Sequence, residues 1–185
     1  MQYSIHRYPA DLIDVMRLPD GRRITIRPLL PQDEAILQTF VRDLSPRSRR
    51  RRFFTGVQEL SQDMLEHLMH VDYVTQLALL GEVFDGGREI MVGEARYAIG
   101  EDKRTAEFAV ATADAWQGLG IAKAMLAMIE GSAIARGIRH LVGAALPDNT
   151  PLLEFARGAG FTVRRNTEDA CLLRLEKGLP SSVRA

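Results

Sequence analysis

The sequence predicts an α/β (α+β) fold, a mixed, mostly antiparallel sheet of six to seven strands with helices on both faces. Three observations carry this. Strand-like runs at 75–84, 90–99 and 105–113 are separated by Asp85-Gly86-Gly87 and by a turn from Gly100 to Arg104, which reads as an antiparallel meander. A long helix from Gly118 to Arg136 then leads into an apolar strand, Arg139 to Leu146. That strand-helix-strand passage is a right-handed crossover, which sets two strands parallel. Apolar residues at helical spacing precede the meander and follow the crossover, so helices cover both faces.

Residues 1–19 show no clear period and contain Pro9 and Pro19; they read as an N-terminal arm. Asp20-Gly21 turns the chain into Arg22-Arg23-Ile24-Thr25-Ile26-Arg27, an alternating half-buried strand that Pro28 and Pro31 stop. Asp33 and Glu34 favour a helix first turn, and Ile36, Leu37, Phe40, Val41 and Leu44 extend a helix over about 31–43. Ser45 caps a short second helix with Pro46 at its first position, carrying Arg47 and Arg49 to Arg52. Ser61 caps a third, with Met64, Leu65, Leu68 and Met69 inward. After the meander, Ile121, Met125, Ile129 and Ala133 form one stripe of the long helix, and Gly137 ends it. Pro151 opens a last helix that stops at Gly160, and 161–165 with 170–175 form a closing hairpin. Residues 20–176 therefore read as one domain and 177–185 as a frayed tail.

With 185 residues, the chain has enough core to fold without a metal or disulfide. It carries 24 basic and 24 acidic residues, and this balance argues against a nucleic-acid partner. The acidic groups concentrate in the middle: residues 58–115 hold 12 acidic and 4 basic side chains. Such a segment either faces a cationic substrate or lies in solvated loops. Cys171 is the only cysteine, which fits a reducing compartment. No apolar run approaches 18 residues, and Met1 to Arg7 lacks the apolar stretch of a signal peptide, so the expectation is a cytoplasmic protein with no membrane partner.

The chemistry concentrates in Ala113-Asp114-Ala115-Trp116-Gln117-Gly118-Leu119-Gly120-Ile121-Ala122-Lys123, between an apolar strand and the long helix. Gly118 and Gly120 permit positive φ and close backbone approach. The amides of the first helical turn lack internal partners and favour a phosphate or pyrophosphate, to which Lys123 could add a cation. The Walker pattern is absent. A dinucleotide fingerprint fails, because Lys123 stands at its third glycine and no acid lies near position 138. What remains is Gln117-x-x-Gly120-x-Ala122, the [RQ]-x-x-G-x-[GA] acyl-CoA loop, against a plain tight turn. Glu107 is a lone carboxylate in the apolar run Ala106 to Ala111; it serves as a base, points to solvent, or pairs with an arginine such as Arg96.

On these residues the chain resembles the GNAT superfamily of acyl-CoA-dependent N-acyltransferases, from about Gly21 to Glu176. More narrowly, it is similar to the acetyltransferase domain of bacterial Pat-type protein lysine acetyltransferases. The phrases that match are Ile24 to Leu29, Leu44-Ser45-Pro46 through Arg52-Phe53-Phe54, Val71-Asp72-Tyr73, Ala106 to Val110, Trp116 to Gly120, and Gly137 to Gly143. The resemblance implies acetyl-CoA as cofactor and direct acetyl transfer to a primary amine acceptor, a protein lysine before a small-molecule amine. A non-catalytic acyl-CoA sensor is the competing class, and a homodimer is compatible with the family. It implies that the backbones of Val110, Ala111 and Thr112 pair with pantetheine in a gap between splayed strands, the Val110 amide polarising the thioester carbonyl. Gln117, Gly118, Leu119, Gly120, Ile121, Ala122 and Lys123 would hold the pyrophosphate. Glu107 would be the general base.

One departure stands out. Many relatives read Asn, then a Tyr general acid, then Gly-Phe; here Asn149, Gly160 and Phe161 match, but Ala156 occupies the Tyr position. Asn149 is kept with the cofactor site, and the leaving thiol, with a pKa near 8.5, is left without an acid. Asp72 and Tyr73 are expected to line the acceptor mouth or to form a structural turn. The arginine run reads as a solvated helix face, ahead of a partner surface, a CoA 3′-phosphate site or nucleic acid. His67 and His70 lack further ligands, so no metal is expected. Trp116 is expected to cover the loop, and Cys171 to pack in the hairpin.

Overall fold

The structure is a computed structural model describing residues 7–181. The ends of the expected arm and tail, 1–6 and 182–185, lie outside the described residues. The elements, in chain order, are β1 (Asp14–Arg17), β2 (Arg23–Pro28), α1 (Glu34–Asp43), α2 (Pro46–Phe53), α3 (Gln62–Met69), β3 (Gln76–Asp85), β4 (Arg88–Ile99) and β5 (Thr105–Thr112). They continue with α4 (Ile121–Ala135), β6 (His140–Ala145), α5 (Thr150–Gly158), β7 (Thr162–Arg165) and β8 (Leu173–Gly178). Ser45 and Ser61 cap α2 and α3 by accepting from the amides of Ser48 and Met64.

One eight-stranded sheet has the order β1-β2-β3-β4-β5-β6-β8-β7. Every neighbouring pair is antiparallel except β5–β6. The fold class is as expected, with one strand more. That strand, β1, lies inside the expected arm. It pairs on one side only and buries none of its side chains, so it leaves no period-2 apolar signature. The last strand starts at Leu173, three residues later than the hairpin pattern suggested, and runs to Gly178. Cys171 therefore sits exposed in the connecting turn instead of packing.

Two cores flank the sheet. One joins Ile121, Met125, Leu126, Ile129 and Ala133 of α4, with Leu153 and Ala156 of α5, to β-strand residues such as Ile24, Ala95 and Phe108. The other joins Leu37, Phe40 and Val41 of α1, with Leu65 and Leu68 of α3, to Ala78, Leu80 and Met91. The start of α4 presses against β4 at Gly93, where a Cβ would stand 3.2 Å from Ile121 Cγ2 and 3.3 Å from Met125 Sδ.

Gly143 in β6 is tighter still: a Cβ there would stand 2.7 Å from Phe108 Cε1. The Phe108 ring is itself held against Phe161, with ring centroids 4.9 Å apart. Gly143→Ala is expected to cost roughly 1–3 kcal/mol by overpacking, read as a lowered denaturant midpoint at unchanged m-value.

Candidate active site

Strands β5 and β6 pair over only three positions, Thr105↔His140, Ala106↔Leu141 and Glu107↔Val142. Beyond Glu107 they part. Strand β5 continues to Thr112 and β6 to Ala145, leaving β5 without a partner on that edge. Alternate residues of a strand point their amides the same way. The amide beyond β5, that of Ala113, donates to Val92 O on the β4 side at 2.9 Å. By that alternation Ala111 and Ala109 also face β4, and Phe108 turns its amide to β6 at the last paired position, while Val110 and Thr112 present their amides to the open gap. A slot of about 80 Å³ occupies the gap, lined by Val110, Ala144, Leu152 and Leu175 together with Arg51, Arg52 and Glu107.

The far end of β5 leads into the glycine loop. Gly118 and Gly120 hold φ of +75° and +84°, and Gly120 is the N-cap of α4. No side chain caps this helix. The first amide after the loop with an internal acceptor is that of Ala124, which donates to Gly120 O at 3.0 Å. Among the described residues, the amides of Gly118 through Lys123 find no acceptor, and Gly118, Gly120 and Lys123 are exposed. Free amides at the positive end of a helix dipole are an arrangement that suits an anionic group such as a phosphate. Gln117 is held back by donating to Thr112 O at 3.2 Å. Trp116 packs into the core beneath the loop, with the Arg22 guanidinium 4.1 Å from its ring.

Adjoining the slot on the α2–α3 side of β5 lies a cavity of about 310 Å³. Its walls include Phe53, Met64, Leu68, Val71 and Leu77, and its polar groups are Arg52, His67, Gln76, Arg96 and Glu107. Glu107 and Arg52 line both the cavity and the slot, so they stand where the two spaces meet. Glu107 is exposed, and among the described residues it accepts no hydrogen bond and joins no ion pair. Arg96, a possible partner by sequence, instead holds Glu94, to which Arg52 also reaches at 3.4 Å. Glu94 is buried; desolvation alone would raise its carboxyl, but Arg96 and Arg52 outweigh that and hold it below the ordinary value.

Other expected residues fall differently. Asp72 accepts from the amides of Val74, Thr75 and Gln76 and from the Thr75 hydroxyl, all at 2.6–2.9 Å, and so fixes a turn. Tyr73 is bent into the left-handed region at φ 58° and donates its hydroxyl to Leu29 O at 2.7 Å. Neither lines the cavity; their neighbours Val71 and Gln76 do. Asn149 is buried and N-caps α5, accepting from Leu152 N at 3.4 Å. Ala156 is buried in the core.

Burial opposes the ionisation of Asp72, but the hydrogen bonds from Thr75, Gln76 and Val74 win and lower its carboxyl from 3.8 to about 2. A depressed carboxylate stabilises the fold above its unfolded value and loses that contribution as pH falls through the folded value. Wild type is therefore expected to lose thermal stability between pH 4 and 2 more steeply than Asp72→Asn, as followed by melting curves.

Sequence reasoning missed how α2 is fastened. Asp114, just before the glycine loop, accepts from Ser45 N, Ser45 Oγ and Ser48 Oγ at 2.9, 2.8 and 2.7 Å. At the other end of α2, Arg50 pairs with Asp148 at 2.9 Å and Arg51 donates to Asp148 O at 3.1 Å. The helix thus straps the loop after β5 to the loop after β6. The arginine run is only partly the solvated face expected: Arg47 and Arg50 are exposed, while Arg52 turns inward with its side chain 13% exposed. In the acidic middle segment most carboxylates are exposed, in line with the solvated reading, while Glu82 and Glu94 are held by arginines and, among the described residues, Glu107 is the one acid lining the cavity.

A parted strand pair ending in a row of free amides, with a cavity adjoining the gap on the α2–α3 side, is the frame of an acyl-CoA-dependent acyltransferase. Residues 41–161 match the model of the acetyltransferase (GNAT) family. Acetyltransferase PA5475 of Pseudomonas aeruginosa is 31% identical over 156 residues, 84% of each chain. The GNAT domain of S. lividans PAT superposes with a TM-score of 0.84 at 32% identity, over 94% of this chain and 100% of that one. YncA of Salmonella typhimurium, a putative acetyltransferase solved with its cofactor acetyl-CoA, shares the fold at a TM-score of 0.66 and 16% identity, over 86% and 96% of the two chains. The chain belongs to the GNAT family and is an acetyl-CoA-dependent N-acetyltransferase. Among the described residues, no helix is long and apolar enough to cross a membrane.

Proposed function

We propose that the acceptor is the ε-amino group of a protein lysine and that Glu107 is the base that receives its proton. The observation that carries this is the position of Glu107, unpaired among the described residues, at the meeting of the acceptor cavity and the slot. The cavity walls suit the apolar stem of a lysine, and the Glu107 carboxylate borders the same space as a partner for the nitrogen. A polycationic small molecule is less well served, since among the described residues Glu107 is the only acid lining the cavity.

Acetyl-CoA supplies an electrophilic thioester carbonyl. The residues of this chain bind and orient it. The free amides of Gly118 to Lys123 would hold the pyrophosphate, the open edge of β5 from Val110 to Thr112 would pair with the pantetheine arm, and the Val110 amide, which faces the gap, would polarise the thioester carbonyl. A lysine amine, with a pKa near 10.4, is neutral in only about one molecule in 2,500 at pH 7. Glu107, directly or through a water, removes the proton as the new bond forms.

The test is incubation of the purified protein with labelled acetyl-CoA and either candidate proteins or small amines, followed by mass spectrometry. Label on lysine side chains supports the proposal. Label on small amines alone contradicts the acceptor assignment while keeping the chemistry.

A further inference from the structure

Ala156, buried in the core, leaves the departing sulfur without the acid its position would otherwise supply. A different polar group borders the slot. Arg52 lines both the slot and the cavity, as Glu107 does. Its side chain is largely buried, its nearest counter-charge is Glu94 at 3.4 Å, and its Nε lies buried without an acceptor among the described residues. A buried guanidinium nitrogen without a partner costs free energy unless a ligand supplies one. Glu94 is also held by Arg96, so it retains a counter-charge without Arg52.

We propose that Arg52 is a catalytic residue that stabilises the negative charge developing on the reacting thioester, first on the carbonyl oxygen and then on the leaving sulfur, in place of a proton-donating acid. This rests on the acetyl-transfer function and its cofactor site as described above. The neutral amine's lone pair forms the C–N bond, one amine proton passes to Glu107, and the C–S bonding pair leaves with sulfur. The products are the amide, a thiolate beside Arg52 and a protonated Glu107 that returns its proton to solvent. No separate acid is needed. The charged and titratable groups around this point are Glu94 and Arg96 on β4, Glu107 on β5, Arg51 and Arg52 on α2, and His67 on α3. A fixed cation close to sulfur stabilises the thiolate over the thiol.

Binding reads this without turnover. CoA and desulfo-CoA are titrated calorimetrically into wild type, Arg52→Lys and Arg52→Gln between pH 6 and 9.5. A thiol that ionises more readily in the complex than in water binds more tightly as pH rises through its bound value towards 8.5. In wild type, CoA affinity is expected to gain roughly tenfold over desulfo-CoA across that range, in keeping with a shift of a unit or more beside an opposite charge. Arg52→Lys keeps most of the gain and Arg52→Gln loses it, with kcat lowered by about 10²–10³-fold. The wild-type comparison needs no variant to fold. Parallel pH profiles for CoA and desulfo-CoA in wild type, or a gain that persists in Arg52→Gln, overturn the assignment alone. Failure of both ligands to bind overturns the cofactor site and the assignment with it.

Discussion

Glu107→Gln is expected to lower kcat for amine acetylation by roughly 10²–10⁴-fold while leaving the affinity for acetyl-CoA within about twofold. The two effects separate because of where the residue stands. Glu107 is exposed at the boundary between slot and cavity, and no described residue bonds to its carboxylate. Exchanging it for an amide of the same shape therefore breaks no ion pair and leaves no buried charge alone. What disappears is the acceptor for the amine proton. The residual rate of the variant should climb with pH as the free amine becomes neutral, whereas wild type depends less on solvent base. Steady-state kinetics across pH 6–9 read both. A variant as fast as wild type over that range removes Glu107 from the chemistry.

Gly120→Val is expected to weaken acetyl-CoA binding at least 100-fold with a loss of fold stability no greater than about 1–3 kcal/mol. Gly120 holds φ +84° at the start of α4, a conformation that costs a β-branched residue of order 1–3 kcal/mol. Valine relieves this by rotating the backbone, which swings the amides on either side away from their shared focus. The position is exposed, and a Cβ would meet only Met16 Cε at 3.5 Å, so the core does not register the change. Calorimetric titration with acetyl-CoA gives the loss, and a denaturant curve supplies the control. Tight binding by the valine variant would show that the loop is a turn and nothing more.

The sequence made most of the frame legible because its signals are local. The stripe Ile121, Met125, Ile129 and Ala133 and the Asp85-Gly86-Gly87 turn each fixed an element to within a few residues. The glycine loop could be read because positive φ and helix-start amides are properties of a few adjacent residues. Strand β1 could not: its four residues are paired on one edge and bury no side chain. The expected start of α4 at Gly118 came three residues early, because both glycines are spent on left-handed turns before the helix begins. Asp72 shows the limit for site residues. A carboxylate near a cavity and a carboxylate closing a turn look identical in sequence, and only the four bonds from Val74 to Gln76 tell them apart. Arg52 was hidden for a related reason. It is one of five arginines within six residues, and nothing local says which of them turns inward; that depends on Glu94, 42 residues away.

The account depends most on the amides at the start of α4. Backbone amide spectra of isotopically labelled protein, recorded while CoA is added, observe them one by one. Shifts concentrated at Gly118 to Lys123, with slowed hydrogen exchange there and at Val110 and Thr112 on the open edge of β5, are the predicted result. Saturable binding that leaves those amides unmoved, or no uptake of CoA at all, would contradict it.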